Sequence, residues 1–301
     1  MNEERILEVL EPLRKKRNWM LILIPVTFFG FCMIDILLTV KAERGGIAGS
    51  EHVEGSGGIL SIGIVLILII AFIVWACKFS NLTKEYTNSY KKLIASQTLK
   101  ECFEESSYFP EQGFSPEEFQ KAKLIYWRSD FRYSSEDFIV GVSQNVPFRQ
   151  SDIRITHTTG SGKSRRTVVD VDGRLTQFVY PKDIKSRILI VKRGFHAMLD
   201  VDCEKIELED VDFNKKFAVY AKDPHSVYYL LTPPMMEYIK NLYNADSAVY
   251  ISFDGENLYI LRSGRGGIFV PPFGKLDVEK EIQKSKRELN EINHIIEILK
   301  L

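Results

Sequence analysis

Two long apolar runs near the start of the chain constrain its fold more than any other feature. Trp19–Val40 holds a single charged residue, Asp35, in 22 positions, and Ile59–Cys77 holds none in 19. At about 1.5 Å per residue, either run as a helix can cross a hydrocarbon core of about 30 Å. The expected architecture is α+β: an N-terminal two-helix transmembrane hairpin, then a soluble antiparallel β-rich domain with a capped helix, and a long C-terminal helix. The expected divisions are a basic amphipathic helix over 1–17, the hairpin over 18–79, a helical stalk over 80–130, an α+β domain over 131–275 and a heptad helix over 276–301.

Basic residues flanking the runs set the expected orientation. Arg5, Arg14, Lys15, Lys16 and Arg17 precede the first run, Lys41 and Arg44 lie between the two, and Lys78, Lys84, Lys91 and Lys92 follow the second. Five and four against two places both ends on the cytoplasmic side, with the Gly-rich loop Lys41–Gly58 outside. Trp19 and Trp75 then share the cytoplasmic interface as anchors, where indole rings are favoured. A cleaved signal peptide is the competing reading, but the first run is long for a signal core and a second run follows it.

Charge is balanced, 40 basic residues against 40 acidic, so no global field favours nucleic acid as a partner. The four cysteines, Cys32, Cys77, Cys102 and Cys203, are too scattered for a disulfide framework and read as free thiols.

Past the second run, Leu82, Tyr86, Tyr90 and Leu93 recur at helical spacing, which continues that helix toward Phe103. Ser115, Pro116 and Glu118 form a capping box with Pro in the first turn, and Phe114 and Phe119 sit at staple positions; the spacing predicts a helix from Pro116 to about Trp127. Between Phe138 and Arg262 the period becomes two, through Ile153 and Ile155, Val169 and Val171, Ile188 and Ile190, Ile206 and Leu208, Phe217 and Val219, and a strand at Val227–Leu231. Thr232 and Pro233 start a helix that ends by Asn244, with Met235, Ile239 and Leu242 on one face. Asp254-Gly255, between the alternating runs Val249–Phe253 and Leu258–Ile260, predicts a hairpin. Val278, Ile282, Ser285, Leu289, Ile292, Ile296 and Leu299 repeat every four and three residues. That stripe suits a coiled coil and equally a helix docked on its own domain.

The candidates for chemistry are few. Gly160-Ser161-Gly162-Lys163-Ser164 resembles a phosphate loop but has His157 where the first glycine belongs, and a strand follows it. It reads as a hairpin tip whose Lys163, Arg165 and Arg166 are candidate contacts to anionic lipid headgroups. Asp35 is a candidate intramembrane polar site, either in hydrocarbon or at the outer headgroups. His52, His157, His196, His225 and His294 lie far apart and pair with no cysteine at ligand spacing, so no metal, cofactor or catalytic set is expected.

The stretch Glu209–Pro233 resembles a bacterial membrane-protein family known only as domain of unknown function 3137. The matching residues are Asp212, Phe213, Phe217, Val219, Tyr220, Asp223, Tyr229, Leu231, Thr232 and Pro233, preceded by a strand around Gly173. His225-Ser226-Val227 and Asp172 depart from its pattern. The resemblance implies two spans, a cytoplasmic domain and a bacterial inner membrane, and no activity. The expected function is a non-enzymatic membrane-anchored binding or scaffolding module, with the bilayer as one partner and a protein, or a second copy through the C-terminal helix, as another. A membrane-surface enzyme is the alternative; an oligomeric channel or transporter component is the third class.

Overall fold

The second apolar run does not end as a separate element where charge begins. A computed structural model describes residues 3–23, 56–193, 203–242, 249–264 and 266–299, and in it a single helix, α2, runs from Ser56 to Cys102, 47 residues. The chain divides into two compact units, Met1–Tyr90 and Lys91–Leu301. No helix among the described residues is long and apolar enough to cross a membrane, and this corrects the expected transmembrane hairpin. Asp35, most of the first run and the Gly-rich loop lie outside the described residues.

In the first unit, residues 3–23 form helix α1. Its apolar spacing buries Ile6 and Leu10 and leaves Val9 exposed. The Arg17 guanidinium lies 4.6 Å from the centre of the Tyr86 ring of α2, a cation–π contact. Glu11 pairs with Arg14 one turn on, at 2.7 Å.

The second unit is built on an antiparallel sheet of seven strands among the described residues: β1 (Glu105–Phe109), β2 (Arg132–Ser143), β3 (Val146–Thr159), β4 (Arg166–Lys192), β5 (Glu204–Ile206), β6 (Phe217–Ala221) and β7 (Val249–Ser263). Their order is β1-β2-β3-β4-β6-β5, and β7 pairs with the other edge of β4. β4 is the spine. Its first half lies between β3 and β7, and its second half between β6 and β7. Gly173 is where β4 and β7 meet most closely, since a Cβ there would lie 2.1 Å from the Arg262 carbonyl oxygen. That close approach explains a glycine inside a strand.

Three local expectations are corrected. Asp254-Gly255 does not reverse the chain: β7 continues through it and pairs along β4 from Ser263 to Tyr250, with Gly255 opposite Ile184 where the register shifts. Val227–Leu231 is not a strand. Asp223 caps helix α5 (Pro224–Leu230), accepting from the backbone N–H groups of His225 and Ser226 at 3.1 and 3.0 Å, and Pro224 occupies the first turn. The capping box of Ser115 and Glu118 forms as expected, but its helix, α3 (Pro116–Lys121), stops before Trp127, and Lys123 adopts φ +46°. Two further helices frame this region: α4 (Val211–Lys216) under an Asp210 cap, and α6 (Pro233–Leu242).

Both faces of the sheet are covered. On one, Ile153, Val171, Leu175, Leu189 and Leu261 pack with Phe114, Phe119 and Leu124 around α3. On the other lies the C-terminal helix α7 (Val278–Leu299). Its heptad stripe is buried within the chain: Val278, Ile282, Ser285, Leu289, Ile292 and Ile296 are each 6% exposed or less. The docked alternative therefore holds for the described stripe.

Candidate functional site

Several charges converge below the surface where β1, β2, β3 and β4 meet the last turns of α2 and the side of α7. Lys91 Nζ, on α2, donates to Asp137 Oδ2 and to Glu136 Oε2, both at 2.8 Å. Tyr108 of β1 donates to the other oxygen of Asp137. Asp137 sits at a break in the β2–β3 register with φ +58° and a side chain only 5% exposed. Beside it, Asp152 of β3 accepts from Arg174 Nε at 3.2 Å, and Arg174 reaches across to Glu288 of α7 at 3.0 Å. Arg174 Nη2 also donates to the Gly266 carbonyl at 3.4 Å.

Burial dominates the ionisation of this cluster. It would push Lys91 down, but the hydrogen bonds to Asp137 and Glu136 outweigh it and hold the ammonium form above the ordinary lysine range. Burial raises Asp137 against the hydrogen bonds from Lys91 and Tyr108. Asp152 is pushed up to about 6 by burial, with Arg174 opposing and Asp137 adding to the shift. Tyr108 is held well above the usual tyrosine range by burial and by Asp137. Every carboxylate here has a cation or hydroxyl partner, and the central ones are shielded from solvent. The arrangement ties α2, four strands and α7 together; it does not present an acid and a base to a substrate.

A shallow cleft of about 400 Å³ crosses β1–β4, floored by Val140, Val142, Phe148, Phe178 and Val179. Arg149 at its rim is held by Glu118 at 2.7 Å and by Gln177 at 2.9 Å. No group of three or more His, Cys, Asp or Glu suited to a metal occurs among the described residues.

The residues singled out from sequence are not brought together. Lys163, Arg165 and Arg166 are exposed at the tip of the β3–β4 hairpin. Trp19 is 62% exposed on α1, while Trp75 is half-buried on α2, stacked between Phe72 and Phe79 at 5.9 and 5.3 Å. Around the Phe72 end of that stack, Leu66, Ile67, Ile69, Ile70, Phe72, Ile73 and Val74 are each between 49% and 67% exposed. The Lys91–Asp137 and Asp152–Arg174 pairs escaped sequence reading, because their members lie 22 to 46 positions apart on elements whose registry no motif announces.

Five of the motif residues near Glu209 have structural places. Phe213 and Phe217 are buried with ring centres 5.0 Å apart, Val219 lies within β6, Asp223 caps α5, and the Thr232 carbonyl accepts the Met236 N–H at the start of α6. Residues 170–301 match the family described as Protein of unknown function (DUF3137). The match covers less than half of the chain. It takes in nearly all of β4 and everything that follows, including the Gly173 contact and α7. No curated protein matches the chain. Among solved structures, the crystal structure of the mycobacterial trehalose monomycolate transport factor A, TtfA, is similar with a TM-score of 0.38 and 7% identity, over 69% of this chain and 95% of that one. A likeness at that level carries no functional argument.

Proposed function

We propose that this chain is a non-enzymatic binding module working at a lipid surface, with the exposed apolar flank of α2 as its lipid contact and the sheet unit as the part that meets a protein partner. The observation that carries the reading is the run of seven large apolar side chains from Leu66 to Val74, each about half exposed or more. They point in all directions around the helix, and an apolar helix with no polar face is stable only inside a protein core or in lipid. On α1, Lys15, Lys16, Trp19 and Ile22 lie together on open surface, a mix of cations and indole suited to the headgroup layer. The heptad stripe of α7 is occupied within the chain, so a protein partner or second copy would meet α7 on its charged outer side.

Flotation of the full chain with neutral phosphatidylcholine vesicles tests this. The wild type should rise with the vesicles, and Ile70→Asp combined with Ile73→Asp should remain in the aqueous layer, since both side chains are exposed and their replacement leaves the fold intact. A wild type that stays monodisperse in buffer and fails to float would overturn the reading.

A further inference from the structure

The β3–β4 hairpin extends beyond the sheet that carries it. Pairing with β2 stops at Thr156, and pairing with β7 stops at Gly173. Past those points only the two strands face each other, from Thr156↔Val169 to Thr159↔Arg166, and a short 3-10 turn at Gly162–Ser164 closes the tip. Gly160 to Thr167 are all exposed. Between Thr156 and Val169 the sequence contains no carboxylate, while Lys163, Arg165 and Arg166 fall within four residues. The acids nearest the base are engaged: Asp170 holds His157 at 2.6 Å, and Asp172 holds Arg154 at 3.3 Å. The result is a projecting ribbon with three cations at its end and no carboxylate of its own to neutralise them.

We propose that this ribbon is an electrostatic contact to an anionic phospholipid surface; the inference rests on the lipid-surface reading above. The ribbon's chemistry favours lipid over nucleic acid, because from Thr158 to Val169 it carries no aromatic side chain on which a base could stack, and His157 at its base is held by Asp170. Its strength also suits a tethered contact. Each lysine or arginine near an anionic leaflet adds about fivefold in affinity, so three give on the order of a hundredfold. That is too little to capture a free protein, but a chain already held at the bilayer by α2 meets the headgroups at high effective concentration.

The test measures binding of the full chain to neutral vesicles and to vesicles containing phosphatidylserine. The wild type should prefer the anionic vesicles, and added salt should erase the preference. Lys163→Ala, Arg165→Ala and Arg166→Ala together should remove most of it and leave neutral-vesicle binding unchanged. The charge-preserving set Lys163→Arg, Arg165→Lys and Arg166→Lys should restore it. A preference that survives the triple alanine variant overturns the proposal, as does an equal ribbon-dependent affinity for a single-stranded oligonucleotide. Loss of neutral-vesicle binding in the wild type would instead strike the α2 reading, while a ribbon-dependent response to phosphatidylserine would still uphold this one.

Discussion

Replacing Lys91 by Met tests whether the buried cluster holds the second unit together. Met keeps most of the length and apolar stem of lysine but removes an ammonium that sits 2.8 Å from two carboxylates. Glu136, 63% exposed, can turn to water; Asp137, 5% exposed, cannot, and it keeps only the hydrogen bond from Tyr108. Breaking a buried pair on one side costs about 3–5 kcal/mol, because the remaining charge is left desolvated. A domain of this kind has only about 5–15 kcal/mol in all, so the loss shows directly in urea unfolding of the full chain. The pH dependence carries a sign. Without Lys91, Asp137 rises further above its unfolded value, and a raised carboxylate favours the folded state at low pH, so the penalty should shrink on acidification. Adding Asp137→Asn should recover much of the loss, since asparagine tolerates the φ of +58° there without a charge to desolvate. A Lys91→Met cost below about 1 kcal/mol, or one that does not change with pH, would refute the reasoning.

Three further predictions concern the same unit. Asp152, raised to about 6, retains in the folded state a proton that the unfolded chain releases, so its contribution to stability falls as pH rises from about 4 to about 6 and is level above that. Asp152→Asn should therefore gain on the wild type across that window, by up to about 3 kcal/mol in thermal or urea unfolding. Gly173→Ala should cost at least about 2 kcal/mol, because its methyl group meets the backbone of β7 and neither strand can yield cheaply; circular dichroism melting would show it. Leu289→Ala, at a fully buried position of α7, should cost about 2–5 kcal/mol by chemical denaturation, and a near-neutral result would mean that α7 is not docked in solution.

The parts of the fold legible in sequence were those written in local chemistry. Ser115, Pro116 and Glu118 mark a helix start wherever they occur, and the alternation of Ile188 and Ile190 reports a strand with one buried face. The misreadings came where one local signal stood for two structures. Asp254-Gly255 satisfies a hairpin turn, yet equally tolerates an irregularity in a strand whose register against β4 shifts at the same level. Conversely, Gln144 and Asn145 make the actual two-residue turn between β2 and β3 with φ of +50° and +66°, and contain no glycine to announce it. Val227–Leu231 has the Val, Tyr and Leu content of a strand, and the Asp223-Pro224 cap ahead of it makes it helical. The heptad stripe told that one side of α7 is buried, but not against what. The charged cluster was invisible because Lys91, Asp137, Asp152, Arg174 and Glu288 converge only through β-sheet register and helix docking. The continuation of α2 past its apolar run was legible in the helical spacing of Leu82, Tyr86, Tyr90 and Leu93, and the helix does run on to Cys102.

The lipid contact of α2 can be read most directly from Trp75, which stands at the end of the exposed apolar stretch. In the full chain carrying Trp19→Phe and Trp127→Phe, Trp75 is the only remaining tryptophan. Its fluorescence in vesicles of phosphatidylcholine brominated along the acyl chain should be quenched strongly, and Ile70→Asp with Ile73→Asp should abolish the quenching. Emission from Trp75 that is the same in brominated and ordinary vesicles would contradict the account.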